Sequence, residues 1–226
     1  MKLNNKDLFE EYGARITQFT EQPLSMNKEV FYPRGALMPV VLDKTVHAKQ
    51  MYLEFDFRDK NQIGKLLPIL VDEFVLELDN EPDYMYRCQI LSMGNSVVMD
   101  DYDSYTVGFD VVVVKEGTEV LVTLANVHEQ VLMNEGTYAS YVKYVITANR
   151  DVYDFEINGI VITKLLGNET IIIDGENKVI TFGDGSNAFG RCVLYEFPKI
   201  IPGSNTVIMN HYDNVSVQVS YKPVFF

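Results

Sequence analysis

Tryptophan is absent from the 226 residues, cysteine occurs twice and histidine three times. Each shortage removes a class of function. Sugar-binding β proteins commonly stack their ligand on an indole, so recognition of that kind would fall to the fourteen tyrosines. Cys88 and Cys192 lie far apart, and neither has a second cysteine or a histidine at metal-ligand spacing. They read as buried free thiols, not as a disulfide framework or a zinc site. His47, His128 and His211 stand alone, and the chain carries no His-Glu-x-x-His, Gly-x-Ser-x-Gly or Walker sequence. Enzymatic chemistry therefore has no sequence signature here.

Long hydrophobic runs are missing as well: nothing approaches the roughly twenty apolar residues that cross a bilayer as a helix. The opening MKLNNKDLFEEYGARI has no apolar core of a secretory signal, which points to a soluble chain made in the cytoplasm. Basic charge is scarce, 19 lysines and arginines against 32 acids, for a formal charge of −13. Such a chain repels phosphates and anionic membrane surfaces, so stable binding to nucleic acid or membrane is not expected.

What is present is β sequence, in a chain long enough for two domains. Leu53-Glu-Phe-Asp-Phe-Arg58 alternates with period two, the mark of a strand with one buried face. Asp59 with Gln62 three positions on resembles a capping box, and Ile63, Leu66, Leu67 and Leu70 share one helical face. The spacing predicts a short helix from about Lys60 to Val71, weakened by Gly64 and Pro68. Strands are expected at Phe74 to Leu78, Tyr84 to Leu91 and Tyr105 to Val114, with a boundary near Lys115-Glu-Gly117 that separates residues 1–117 from 118–226. Before Lys49 the pattern is irregular: a short helix near Asp7 to Tyr12, a strand around Ala14 to Phe19, then an extended arm or hairpin.

The second half reads as seven short strands: Tyr141 to Thr147, Phe155 to Leu165, Thr170 to Ile173, Lys178 to Phe182, Arg191 to Phe197, Thr206 to Met209 and Val215 to Tyr221. Their spacing argues for a β-sandwich. Asp174-Gly175 is read as the tight turn of a hairpin, with glycine supplying positive φ. In Tyr195 to Met209, Pro198 marks a strand edge, Pro202-Gly203 suits the centre of a type II turn, and Asn205 is placed to bond nearby backbone. That stretch is a corner between strands. Met99-Asp-Asp-Tyr-Asp103 clusters carboxylates as a cation site would, but lacks calcium-loop spacing, and a solvated turn explains it as well.

Taken in order, Asn134-Glu-Gly-Thr137, Tyr144-Val-Ile-Thr147, Ile171-Ile-Ile-Asp-Gly175, Phe197-Pro-Lys-Ile-Ile-Pro-Gly-Ser-Asn205 and Val215 to Tyr221 resemble the distal tail proteins (Dit) of long-tailed bacteriophages and prophages. The strand, short helix and strand of the first half, with Tyr84 and Tyr86, fit the same pattern. The resemblance implies a non-enzymatic, cofactor-free and metal-free architectural protein of the virion tail tip, made in the bacterial host cytoplasm. It implies a mainly β fold: an N-terminal β domain with one short helix that closes a homo-hexameric ring, and a C-terminal galectin-like β-sandwich. Implied partners are the major tail tube protein, the end of the tape-measure protein, the tail-associated lysin or fibre hub, and receptor-binding proteins. DNA would pass through the ring unbound, with lumen carboxylates repelling its phosphates. Ring closure gives a use for the apolar residues of the N-terminal arm. Phe19, Val30, Phe31, Leu37 and Val40 are candidate contacts with a neighbouring subunit, against the alternative that the arm packs on its own domain. A glycan-binding β-sandwich is the competing reading.

Overall fold

The structure, a computed structural model, describes residues 1–21, 26–31, 40–46, 49–99 and 104–225. The chain is mainly β and forms two compact units, Met1–Glu116 and Gly117–Phe225.

The first unit runs β1 (Lys2–Leu3), β2 (Lys6–Asp7), α1 (Leu8–Tyr12), β3 (Ala14–Glu21), β4 (Met26–Phe31), β5 (Val40–Val46), β6 (Lys49–Phe57), α2 (Lys60–Leu70), β7 (Phe74–Glu77), β8 (Tyr84–Met99) and β9 (Ser104–Gly117). Its main sheet is ordered β2-β1-β7-β8-β9-β6-β3, while β4 and β5 form a separate two-stranded sheet. The period-two pattern sets the faces. Met51, Leu53, Phe55 and Phe57 of β6 are buried, and the antiparallel register sets Leu53 opposite Phe109 and Phe55 opposite Val107 of β9. Leu66 and Leu70 of α2 join this core. Each fully buried Phe or Leu contributes about 1.5–3 kcal/mol by leaving water.

Both helices start at an aspartate. Asp7 Oδ1 accepts from the amides of Phe9 (3.0 Å) and Glu10 (2.9 Å), and Asp59 Oδ1 accepts from Asn61 N (2.9 Å). The expected capping box at Asp59 does not form. Gln62 is drawn away to pack on Gly13, where its Oε1 is buried without a hydrogen-bond partner among the described residues. Gly13 ends α1 at φ +60° and donates to Phe9 O (2.8 Å), a left-handed cap that suits glycine. The fold thus has α1 as well as the one amphipathic helix of the mainly β pattern.

The second unit comprises β10 (Val120–Ala125), β11 (Glu129–Asn134), β12 (Ser140–Ala148), β13 (Val152–Ile157), β14 (Ile160–Leu165), β15 (Thr170–Asp174), β16 (Val179–Phe182), β17 (Cys192–Val193), β18 (Lys199–Ile200), β19 (Gly203–Ile208) and β20 (Val215–Tyr221). One layer is β10-β20-β12-β15-β16. The other is β13-β14-β17 with β11-β19, joined at the Ile157–Met209 bridge. Tyr144, Ile146, Ile173 and Val217 from the first layer meet Phe155, Ile162 and Val207 from the second in one core, which makes the unit a β-sandwich.

Three local readings change. Phe155 to Leu165 is a hairpin, not one strand, because Asn158-Gly159 turns it with φ of 47° and 77°. Arg191 to Phe197 keeps only the β17 pairing of Cys192 and Val193 with β14; beyond Val193 no partner strand continues among the described residues, and Tyr195 stands fully exposed. β10, a Val-Leu-Val-Thr-Leu-Ala run without alternation, and β11, which opens on Glu129 and Gln130, are additional strands.

Two glycines give opposite expectations. Gly13→Ala forces a side chain into a left-handed conformation and into the Gln62 carboxamide, and should lower stability by about 2 kcal/mol. Gly64→Ala, inside α2 with open space around it, should raise stability by about 0.5–1 kcal/mol. Urea midpoints of the two variants against the parent chain measure both.

Candidate partner-binding and assembly surfaces

The quoted motifs converge on one strand. Val142 of β12 donates its N–H to Pro198 O (3.0 Å) and accepts from Gly175 N (3.0 Å) through its carbonyl. Beside it, Ser140 and Tyr141 pair with Ile200 and Lys199 of β18. Gly175 is required for close approach: a Cβ would overlap the Pro198 carbonyl and lie 2.7 Å from Val142 O. Its φ is not positive. The left-handed residue of that hairpin is Lys178, at φ 55°, so the expected tight turn at Asp174-Gly175 is a longer loop. Asp174 organises it, accepting from Glu176 N and Asn177 N through Oδ1 and from Asn177 Nδ2 through Oδ2, each at 3.0 Å.

Asn134 closes the same node from β11. Its carboxamide is buried; Nδ2 donates to Tyr138 O (3.3 Å), Ser140 Oγ (3.3 Å) and Ile200 O (3.4 Å), and Oδ1 accepts from Gly136 N (3.0 Å). Gly136 is also held close, since a Cβ there would sit 2.5 Å from Val224 O. On the far side of the corner, Asn205 accepts from Ile201 N (2.9 Å) and donates to Ile201 O (2.7 Å) and Gly203 O (2.9 Å). Gly203 has φ +89°, Pro198 is buried and Pro202 is exposed. The polar groups of this corner satisfy one another, so it is a structural joint without free chemistry. The ordered motifs include Asn134 but not Ser140, and neither residue's distant main-chain partner, Ile200 O for Asn134 and Val224 N for Ser140, is legible in the sequence.

The outside of the second unit is apolar in places. Val131 and Met133 of β11 and Ile208 of β19 are exposed on one ribbon, and Tyr138, Tyr141 and Ile201 are exposed around the corner. In the first unit, Phe19 is half-buried on its own core, edge-on to Tyr86 at 5.2 Å. Val30, Phe31 and Val40 lie in the β4–β5 hairpin, where Phe31 pairs with Val40 and the register shifts between Glu29 and Val30. Leu37 lies outside the described residues, as do residues 100–103 of the acidic cluster.

Charge in the first unit is organised around Glu81, which accepts from both Lys115 Nζ and Tyr86 Oη. Those two bonds hold its carboxyl below the usual range, while burial and the Glu81 bond push the Tyr86 phenol up to about 12. Lys115 also lies 3.9 Å over the Tyr84 ring. Every one of these groups is engaged with another, which describes a structural network. Burial alone pushes the Cys192 thiol up to about 11, and burial likewise raises Cys88, so neither is a ready nucleophile.

No protein-family model and no curated protein sequence matches the chain. Among solved structures, it is similar to the Dit protein (gp 19.1) of phage SPP1, described as a paradigm of the hub adsorption apparatus in phages that infect Gram-positive bacteria. The TM-score is 0.73 at 10% identity, over 99% of this chain and 98% of that one. The chain has the Dit fold. The phage P2 baseplate in its activated conformation with calcium is also similar, with a TM-score of 0.53 at 8% identity over 92% of this chain and 90% of that one. The same baseplate with strontium matches at 7% identity and the same TM-score. The Dit fold therefore spans both units of the chain.

Two expectations test the joint. Asn134→Ala strands several buried main-chain groups and should destabilise the second unit by about 2–3 kcal/mol, read as a lower calorimetric Tm for that unit. Burial raises the Asp174 carboxyl, but hydrogen bonds from the Asn177 backbone and side chain and from Glu176 N outweigh it and hold it below its ordinary 3.8. A depressed folded value means that the stabilisation is complete above about pH 4 and is lost as the pH falls through the lower folded value. Thermal melts below pH 4 should show a shallower decline for Asp174→Asn than for the parent chain.

Proposed function

We propose that the chain is a distal tail protein, a structural hub of the tail tip or baseplate of a phage or prophage, and not an enzyme. The observation that carries this reading is the match to SPP1 Dit over essentially the full length of both chains. Six copies form the ring, with the first unit closing it and the second facing outward. The ring joins the major tail tube protein and the tape-measure end on one side to the tail-associated lysin or fibre hub and the receptor-binding proteins on the other.

Two features support an assembly role. The β4–β5 hairpin is a separate two-stranded sheet, a form that is marginal in water unless something covers it. A neighbouring subunit supplies that cover by packing on the hairpin or adding a strand, with Val30, Phe31, Leu37 and Val40 as the contacts. Phe19, which already packs on its own core, is at most peripheral to that contact. The exposed ribbon of Val131, Met133 and Ile208 offers the second unit an apolar contact surface of its own. Facing the lumen, the outward carboxylates Glu54, Asp56 and Asp110 of β6 and β9 keep passing DNA from adhering.

Mass photometry and negative-stain imaging test the assembly. A six-copy ring with sixfold symmetry is expected, alone or with the tail tube protein, and Phe31→Asp should shift it towards monomer with little change in Tm. A chain that stays monomeric with and without those partners, and is missing from tails assembled in the host, overturns the reading.

A further inference from the structure

Several strand edges of the second unit are closed by the chain itself. Along β16, Phe182 N donates to Ser186 O (2.8 Å) and Ala188 N to Ile180 O (3.0 Å). Asn210 stitches β13 to the end of β19, donating through its N–H to Glu156 O (3.1 Å) and accepting from Glu156 N (2.7 Å) through Oδ1. β17 is two residues long. Two longer strands, β10 and β11, pair on one side only among the described residues, with β20 and β19. The bonding direction of β11 follows from its neighbours. Met209 N donates to His128 O (3.0 Å), so the bonded pairs of this antiparallel ladder are Gln130 with Val207 and Leu132 with Asn205. The main-chain groups of Glu129, Val131 and Met133 then turn to the opposite, open edge. Ile208, across from Glu129, accordingly bonds away from β11, to Asn158, and Tyr221 Oη donates to Met133 O (2.7 Å). Gln130 Nε2 covers Val131 O (3.1 Å). Both of these carbonyls are met, whereas the N–H groups of Val131 and Met133 have no partner among the described residues. Their side chains are exposed as well. The edge offers donors and withholds acceptors.

We propose that β11 receives an extended strand of a different protein, which adds to this edge with its carbonyls on the Val131 and Met133 N–H groups. The two donors lie two residues apart, roughly 6.8 Å along the strand, which is the spacing of alternate carbonyls on an incoming strand. A second copy of this chain is the wrong occupant on two grounds. Its own β11 would bring donors to face donors, with the matching carbonyls already covered, and it would bring a further charge of −13. A small anion is repelled by the exposed Glu129 and Glu135 at the ends of the strand. The fitting partner therefore carries uncovered carbonyls, apolar side chains on the face of Val131 and Met133, and basic residues towards Glu129 and Glu135. The inference rests on the hub reading for the tail-tip source of that strand, while the edge itself does not depend on ring formation.

Hydrogen exchange read by mass spectrometry on the full chain tests it, because the method works for monomer and ring alike. The probe is the end-capped peptide Lys-Val-Thr-Val-Thr-Val-Lys. In the free chain the Val131 and Met133 amides should exchange fast and the bonded Leu132 amide slowly, and saturating probe should slow the two outward amides about tenfold. Lys-Val-Pro-Val-Pro-Val-Lys, and the β11 sequence Glu-Gln-Val-Leu-Met-Asn itself, should give no protection. Val131→Pro removes an N–H that bonds nothing within the chain, so Tm should move little while protection of Met133 is lost; Leu132→Pro removes a bonded one and should lower Tm sharply. Met133→Lys keeps every main-chain group and should abolish protection by repelling the basic probe, which carries the test should Val131→Pro misfold. A ring that forms while the probe leaves β11 unprotected overturns this inference and spares the hub reading; protection in a chain that never forms a ring supports the inference by itself. Slow exchange of both outward amides in the free chain, equal protection by the β11 sequence, or unchanged protection in Met133→Lys also overturns the proposal.

Discussion

The second unit depends on how the peptide groups at Val142 are satisfied. A strand inside a sandwich must find a partner for each N–H and C=O, because an unmet buried group costs about 1–3 kcal/mol. At Val142 the partners are Pro198 O and Gly175 N, which come from two segments that meet end to end along the edge of β12 opposite β20. The Pro198 carbonyl can reach only if residue 175 has no side chain, and Ile200 O, one pairing further along, is met by the Asn134 carboxamide. Glycine, proline and asparagine at these places follow from one geometric demand. They hold together β11, the β15–β16 hairpin and the corner before β19, which share almost no sequence neighbourhood.

That demand explains what was legible. Alternation in Leu53 to Phe57 and in Val107 to Val113 gives the faces of β6 and β9 directly, since burial on one side leaves a period of two. Ile63, Leu66 and Leu70 likewise place α2. The joint was visible only as an ordered set of weak motifs, and the reason for Gly175 was not visible at all, because a close approach leaves the same letter as a positive φ. Asn158-Gly159 carries a strong short hairpin signal, yet it sits in a stretch, Phe155 to Leu165, whose β-branched and aromatic residues on both sides of it read as one strand. Gln62 shows the opposite failure. Its spacing from Asp59 suits a capping box, but the space over Gly13 draws the side chain elsewhere. Local patterns lose wherever a distant backbone claims the same side chain.

The same reasoning bears on function. A fold retained at 10% identity over 99% of the chain is one that packing and backbone pairing alone can specify. An architectural subunit needs little more: surfaces that stay apolar, charges that stay paired, and no nucleophile held in an activated state. The Glu81, Lys115 and Tyr86 network and the raised Cys88 and Cys192 thiols fit that description. The excess of acid is the exception, since self-repulsion destabilises a compact chain. It has a physical use where phosphates must pass without adhering.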